Sequence, residues 1–284
     1  MNLFLLSVKK IKPRGHATFL KIGAVVFKKF RYVNLEINGF KIILDLRFDC
    51  DIEMFINESL PHEKGLEIIL KKIVVRDDIF FDIGANLGYY SFLLAGSLKK
   101  IFMFEPNIML YENIRKAMLS KDGQVNLEVF NIALGEFDTY LKLNVSDSQH
   151  NLGNFRNQKN SEGYTVQCLN GDRFIRDNSI NFPSILKIDV EGFELNVLKG
   201  LMNTVYSQKP IIFMEWTDVF ASEVGYCFND LESFFDQSEW MIFRIENDGS
   251  LRKSDICKPK SSNDLLIVHI ENLRLPDILT LITD

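Results

Sequence analysis

Four stretches of the chain concentrate residue types that bind small molecules or move protons. FFDIGANLGYYS (80–91) sets Asp82 before a turn holding Gly84 and Gly88, and FEPN (104–107) carries Glu105. ILKIDVEGFELNVLKG (185–200) carries Asp189, Glu191 and Glu194, and PIIFMEW (210–216) carries Glu215. Asp82, Glu105, Asp189 and Glu215 each close a short apolar run of the kind that makes a buried strand. In an open α/β sheet, ligands bind outside the carboxyl ends of the strands, where glycines let the backbone come close to them. These four acids are therefore expected to face one crevice.

Charge and spacing narrow the ligand. A dinucleotide site wants G-x-G-x-x-G, with the pyrophosphate at a helix N-terminus. This chain has D-x-G-x-x-x-G, and a carboxylate at the strand end repels a pyrophosphate in a low-dielectric crevice. S-adenosylmethionine carries a sulfonium and an ammonium but no phosphate, so a negative site suits it. Glu105 stands 21 residues beyond Gly84, about the distance at which a carboxylate grips the ribose of a nucleoside. The plainer alternative makes Asp82 and Glu105 helix caps. The preference of helix N-termini for acids likewise accounts for Glu191 and Glu194 without any chemistry, but explains Asp189 less well.

Short apolar strands alternate with helices from about Asp77. Strands are expected at Ile79–Asp82, Ile101–Phe104, Leu127–Asn131, Ile185–Ile188 and Ile211–Met214, and helices at Leu87–Ala95, Ile108–Leu119 and Phe193–Leu201. That alternation implies a parallel sheet covered on both faces. The polar stretch Asp138–Gln167 reads as an insertion at one sheet edge, and Trp240–Ile245 with Leu265–Ile270 as a terminal antiparallel pair. Before the alternation, VNLEINGFKIILDL (33–46) reads as a hairpin turning at Asn38-Gly39, and Glu63–Val74 as a helix. Thr18–Arg31 has the spacing of a basic amphipathic helix, with Phe19, Ile22, Val26, Phe27 and Phe30 on one face. That face suits either the chain's own core or an anionic membrane surface.

The 284 residues are 46% hydrophobic and 25% charged, an ordinary globular composition that excludes disordered and fibrous classes. The net charge is −5, yet the first 35 residues hold eight basic side chains and no acid, which leaves −13 on the remainder. A basic arm thus precedes an acidic body, and nucleic acid is not the expected partner. The apolar runs of the arm are far shorter than the roughly 18–20 residues that span a bilayer, and their order relative to the lysines does not match a secretory signal. Cys50, Cys168, Cys227 and Cys257 show no metal or disulfide spacing. Reduced thiols in a cytoplasmic protein, with peripheral contact at the inner membrane surface through residues 1–35, are the expectation.

DIGANLGYYS, FEPN, NIALG (131–135), KIDVEGFELNVLKG and MEW together resemble the FkbM family of S-adenosylmethionine-dependent methyltransferases over roughly residues 73–216. The resemblance implies a Rossmann-like α/β fold, with a seven-stranded mostly parallel sheet, helices on both faces and an antiparallel final strand. Residues 71–284 would form that domain, and residues 1–70 an extension. It also implies O-methylation of a hydroxyl on a sugar, glycan, glycolipid or other natural-product acceptor. Gly84, Asn86 and Gly88 would approach the methionine part of the cofactor, Asp82 would orient its amino-acid end, Glu105 would hold the ribose, and Asn131 and Ile132 would lie near the adenine. LNGDRF (169–174) departs from the family's usual leucine-aspartate segment.

Methyl transfer to an alcohol is an in-line displacement that needs alignment and somewhere for the hydroxyl proton to go. Asp189, assisted by Glu215, is the first candidate, as general base or as ligand to a magnesium-like cation. His150 in the polar insertion is a second candidate base. His16, His62 and His269 show no comparable spacing. Trp216 reads either as a platform for a sugar face or as core. Competing readings are an RNA or protein methyltransferase using the basic arm, and a non-catalytic scaffold that keeps the fold.

Overall fold

A computed structural model of the chain describes residues 16–27, 30–121, 126–145, 153–155, 163–253 and 263–283. Helix α1 (His16–Val26) leads to a hairpin of β1 (Tyr32–Ile37) and β2 (Phe40–Asp45), then to α2 (Asp49–Asn57) and α3 (Lys64–Ile73). The alternation follows with β3 (Ile79–Ile83), α4 (Tyr89–Leu94), β4 (Lys100–Phe104), α5 (Ile108–Leu119) and β5 (Leu127–Phe130). Next come β6 (Ala133–Gly135), β7 (Thr139–Val145), β8 (Gly153–Asn154), β9 (Tyr164–Asn170) and α6 (Gly171–Asp177). They are followed by β10 (Ile185–Ile188), α7 (Glu194–Gly200), α8 (Met202–Gln208) and β11 (Ile211–Trp216). The last elements are α9 (Asp218–Glu223), α10 (Phe228–Phe234), β12 (Trp240–Ile245), β13 (Leu251–Lys253), β14 (Asn263–His269) and α11 (Leu275–Leu279).

The main sheet orders its strands β13-β12-β14-β11-β10-β3-β4-β5. β11, β10, β3, β4 and β5 are mutually parallel, and β14 runs antiparallel to both β11 and β12. This is the expected seven-stranded arrangement with an antiparallel last strand, widened by the short edge strand β13. Successive residues of each strand feed opposite cores, as the pleat requires. Phe80, Met103, Ile185 and Phe213 enter one cluster, and Phe81, Phe104, Leu186 and Met214 the other. Burial on both faces is why these strands read as unbroken apolar runs. The first cluster also takes Leu20, Leu44, Phe55 and Ile69 from the N-terminal elements.

The hairpin turns where Asn38-Gly39 requires, with φ of 49° and 84° at the two central residues, the geometry that matches strand twist. One expectation is corrected. The amphipathic helix ends at Val26, not Arg31, because Phe30 turns back onto the core and β1 begins at Tyr32. Its buried face is Leu20 and Ala24, whereas Ile22, Val26 and Phe27 are exposed. The polar insertion follows the edge strand β5, and β6, β9, β7 and β8 form a four-stranded sheet of their own. It has its own small core of Ala133, Leu143, Phe155 and Cys168, against which Phe193 packs.

Candidate functional site

Beyond β3 the chain enters a turn that only special residues can make. φ is +82° at Gly84, +54° at Asn86 and +75° at Gly88. A side chain at Gly84 would collide with the carbonyl of Asp189, so this glycine is required by both its backbone conformation and its close approach to the end of β10. The Gly84 and Ala85 amides donate to the Phe104 carbonyl at 2.9 and 3.1 Å, which fastens the turn to the end of β4.

Glu105 follows directly. One carboxylate oxygen accepts from the Asn86 amide and the other from the Asn107 amide, both at 2.8 Å. Burial pushes its pKa up to about 8 against the pull of those backbone donors. The Asn131 side-chain amide donates to the carbonyls of Glu105 and Pro106 at 2.9 and 3.0 Å, so Asn131 fixes the Glu105 turn. Asp82 lies beneath the glycine turn, where its Oδ2 accepts from the Ser91 hydroxyl at 2.6 Å. Burial raises its pKa despite the neighbouring Lys187. Its Oδ1, and the Oδ1 of Asn86, are buried with no hydrogen-bond partner. Orphaned buried acceptors of this kind are costly and call for a donor-bearing ligand.

The other end of the cleft follows from strand register. Lys187 on β10 opposes Asp82 on β3, and Glu215 on β11 opposes Asp264 on β14. The buried Lys187 ammonium donates to Asp189 Oδ2 at 2.9 Å and lies 5.0 Å from the centre of the Tyr90 ring. Burial would lower the Lys187 pKa, but Asp189, Asp82 and Glu63 outweigh it and hold the ammonium charged. Burial likewise would raise Asp189, yet Lys187 and a hydrogen bond from Glu215 bring it below the ordinary carboxylate range. Asp264 is pushed to about 7 by burial and by Glu63 and Asp189.

The Lys187 ammonium already neutralises Asp189, and no group of three or more His, Cys, Asp or Glu side chains suited to a metal is present among the described residues. A carboxylate with a lowered pKa is also a weak proton acceptor.

The structure adds residues that spacing alone did not single out. A 3₁₀ turn, Pro61–Glu63, places His62 and Glu63 on the same cleft as Gly84, Asn86, Glu105, Asp189 and Glu215. Glu63 Oε1 lies 3.3 Å from His62 Nε2, and Glu63 Oε2 accepts from the Tyr90 hydroxyl at 2.7 Å. No sequence interval links residue 62 to residue 189, which is why His62 carried no signal. Asp264 was detectable in principle, because an antiparallel last strand must begin beside the carboxyl ends of the parallel ones.

Other candidates have structural roles. Ile132 is buried in the second core cluster, and neither it nor Asn131 lines the cleft. Trp216 is core, and its indole donates to Asp218 at 2.8 Å. Asp172 accepts from the amides of Asn203 and Thr204 at 2.8 and 2.9 Å, capping α8. Glu194 accepts from the Gly192 amide at 2.9 Å and closes the loop after Asp189. His150 lies outside the described residues.

With this geometry in place, comparison with known proteins is informative. The methyltransferase FkbM domain matches residues 82–243. The hexuronic acid methyltransferase AglP of Haloferax volcanii is 24% identical over 155 residues, covering 54% of this chain and 62% of that protein. The chain therefore matches less than two thirds of that relative's length. The solved methyltransferase FkbM from Methylobacillus flagellatus aligns with a TM-score of 0.46 and 14% identity, over 76% of this chain and 52% of its own. An rRNA methylase from Streptococcus thermophilus aligns with a TM-score of 0.41 and 14% identity, over 72% and 93%.

Proposed function

The chain belongs to the FkbM family of S-adenosylmethionine-dependent methyltransferases, and we propose that it methylates a hydroxyl of a sugar, glycan or glycolipid acceptor. The observation that carries the cofactor half of this reading is Glu105, a buried carboxylate held by the Asn86 and Asn107 amides beside the glycine turn. Two ribose hydroxyls match such an acceptor, and a bound ammonium or amide donor matches the orphaned Oδ1 of Asn86, which lines the cleft. When bound, S-adenosylmethionine supplies an electrophilic methyl group on a cationic sulfur. Support for a sugar acceptor comes from the relative that acts on a hexuronic acid.

The chain's own residues would then divide the work along the sheet. Glu105 at β4 holds the ribose, Gly84 and Asn86 at β3 admit the amino-acid end, and Asp189 with Glu215 at β10 and β11 floors the acceptor side. Lys187 replaces a metal as the counter-ion of that floor, so turnover is expected to be unchanged when EDTA is added to metal-free buffer. Calorimetric titration of S-adenosylmethionine and S-adenosylhomocysteine, with NAD as control, tests the reading. Micromolar-range binding by the wild type and its loss in Glu105→Ala is expected, whereas no binding by a folded wild type would reject it.

Ile22, Val25, Val26 and Phe27 expose an apolar face at the end of α1, within a sequence segment rich in lysine and arginine. This combination favours peripheral contact with an anionic membrane. No helix among the described residues is long and apolar enough to cross one. Co-sedimentation with phosphatidylcholine vesicles that contain phosphatidylserine, and not with vesicles that lack it, is the expected result.

A further inference from the structure

We propose that His62, delivered by the N-terminal extension, is the base that accepts the acceptor hydroxyl's proton, with Glu63 as its positioning residue. The inference rests on the methyltransferase reading and deepens it. The order of the central strands lays out the cleft. Glu105 follows β4, the glycine turn follows β3, Asp189 follows β10 and Glu215 is the last residue but one of β11. A nucleoside held at Glu105 therefore points its remaining length toward Asp189 and Glu215, and His62 lines that same cleft. Asp189 is poorly suited to accept a proton there, because it is an anion stabilised by the Lys187 ammonium at 2.9 Å.

His62 has the arrangement of an oriented base. Its Nε2 faces Glu63 Oε1 at 3.3 Å, an orientation that leaves Nδ1 to take a proton, and Glu53 Oε2 stands 3.8 Å from Nδ1. Glu63 is itself held by the Tyr90 hydroxyl, and Tyr90 belongs to the helix that opens after the glycine turn. The groups that face the imidazole are Glu63 on its own turn, Glu53 of α2 and Asp264 of β14, with Asp189 beyond. Led by the Glu63 hydrogen bond, they raise its pKa above the ordinary histidine value. The ring is half exposed, so a proton taken from the cleft has a path to water.

In the step, the acceptor O–H bond breaks and its proton passes to Nδ1. The oxygen's electron pair forms the new O–C bond to the methyl carbon. The C–S bonding pair leaves with sulfur, as S-adenosylhomocysteine, and the imidazolium then releases its proton to solvent.

The test uses the full chain with S-adenosylmethionine and a panel of methyl glycosides bearing neutral, N-acetylated and uronic sugars, with S-adenosylhomocysteine formation followed against pH. Wild-type turnover should rise through an ionisation above pH 6.5. His62→Gln should keep its cofactor affinity, lose that limb and slow roughly 10²- to 10³-fold. Glu63→Gln should move the limb to lower pH, because a carboxylate that stabilised the imidazolium is gone. An unchanged rate and limb in His62→Gln, or loss of the limb in Asp264→Asn instead, would overturn the proposal. The second readout needs no turnover. In the S-adenosylhomocysteine complex, the His62 ring resonance, identified by its absence from His62→Gln, should shift when a glycoside binds. A ring signal that stays fixed across the panel would overturn the role of His62. Failure of the wild type to bind either methyl-cycle ligand would instead reject the underlying function.

Discussion

At Glu105 a buried carboxyl whose pKa is pushed up to about 8 accepts two ribose hydroxyls best as the anion. Those hydroxyls stabilise the anion, so its pKa falls in the complex and binding expels a proton below pH 8. Affinity for S-adenosylhomocysteine is thus expected to tighten by up to about tenfold per pH unit from pH 6 toward 8 and then level off. Calorimetry in buffers of different ionisation enthalpy checks both the slope and the released proton. Glu105→Gln should flatten the slope, while a pH-independent wild type would contradict this account. Lys187 lends itself to a second expectation. Lys187→Met leaves the buried Asp82 and the partly exposed Asp189 without their cation, a loss toward the lower end of about 3–5 kcal/mol. Protonating those carboxyls relieves the repulsion, so urea denaturation should show a smaller loss at pH 5.5 than at pH 8. The acids were legible in the sequence because each ends an apolar run. Lys187 was not, since a lysine inside such a run looks like a solvated side chain until register sets it opposite Asp82.

The glycine turn shows how an element, and not only a residue, makes the site. Gly84 and Gly96 both have φ above +80°, so alanine at either costs roughly 1–2 kcal/mol of backbone strain. Only Gly84 also faces the Asp189 backbone; around Gly96 nothing stands within 4 Å. Gly84→Ala is therefore expected to push β10's loop away and weaken S-adenosylhomocysteine binding more than tenfold, whereas Gly96→Ala should lower stability and leave binding intact. Paired calorimetry and thermal melts distinguish these outcomes, and equal effects on binding would refute the packing argument. The turn, the strands around it and the β1–β2 hairpin could be read from local patterns, because their residues satisfy one conformation at short range. The β6–β9 sheet could not be placed: polar alternation reveals a strand but not its neighbour, and pairing of Ala133–Gly135 with Cys168–Asn170 closes over a long interval. The α1 pattern misled for a related reason, since Phe30 extends the helical spacing although the chain has already turned.

For the whole molecule, the decisive fact is that the N-terminal elements share one core with the catalytic sheet. The first cluster runs from Leu20 and Leu44 through Phe55 and Ile69 to Phe213, Leu266 and Ile278. The same elements carry His62 and Glu63 to the cleft, and Glu67 and Glu63 accept from the hydroxyls of Tyr89 and Tyr90 at 2.8 and 2.7 Å. Phe55 in α2 and Phe213 in β11 are both fully buried, so truncating either to alanine should cost about 3–5 kcal/mol. If the chain unfolds as a unit, each variant shifts the same single thermal transition, by about 2–4 °C per kcal/mol for a protein approaching this size. S-adenosylhomocysteine should then raise the melting temperature of wild type and both variants together, because a ligand at 100 times its dissociation constant stabilises the bound state by about 2.7 kcal/mol wherever the folded unit includes the site. Differential scanning calorimetry of the three proteins, with and without the ligand, gives the answer. Two resolved transitions, with Phe55→Ala moving one that S-adenosylhomocysteine leaves in place, would mean that the extension folds apart from the sheet it covers. The site would then survive without the segment that carries His62.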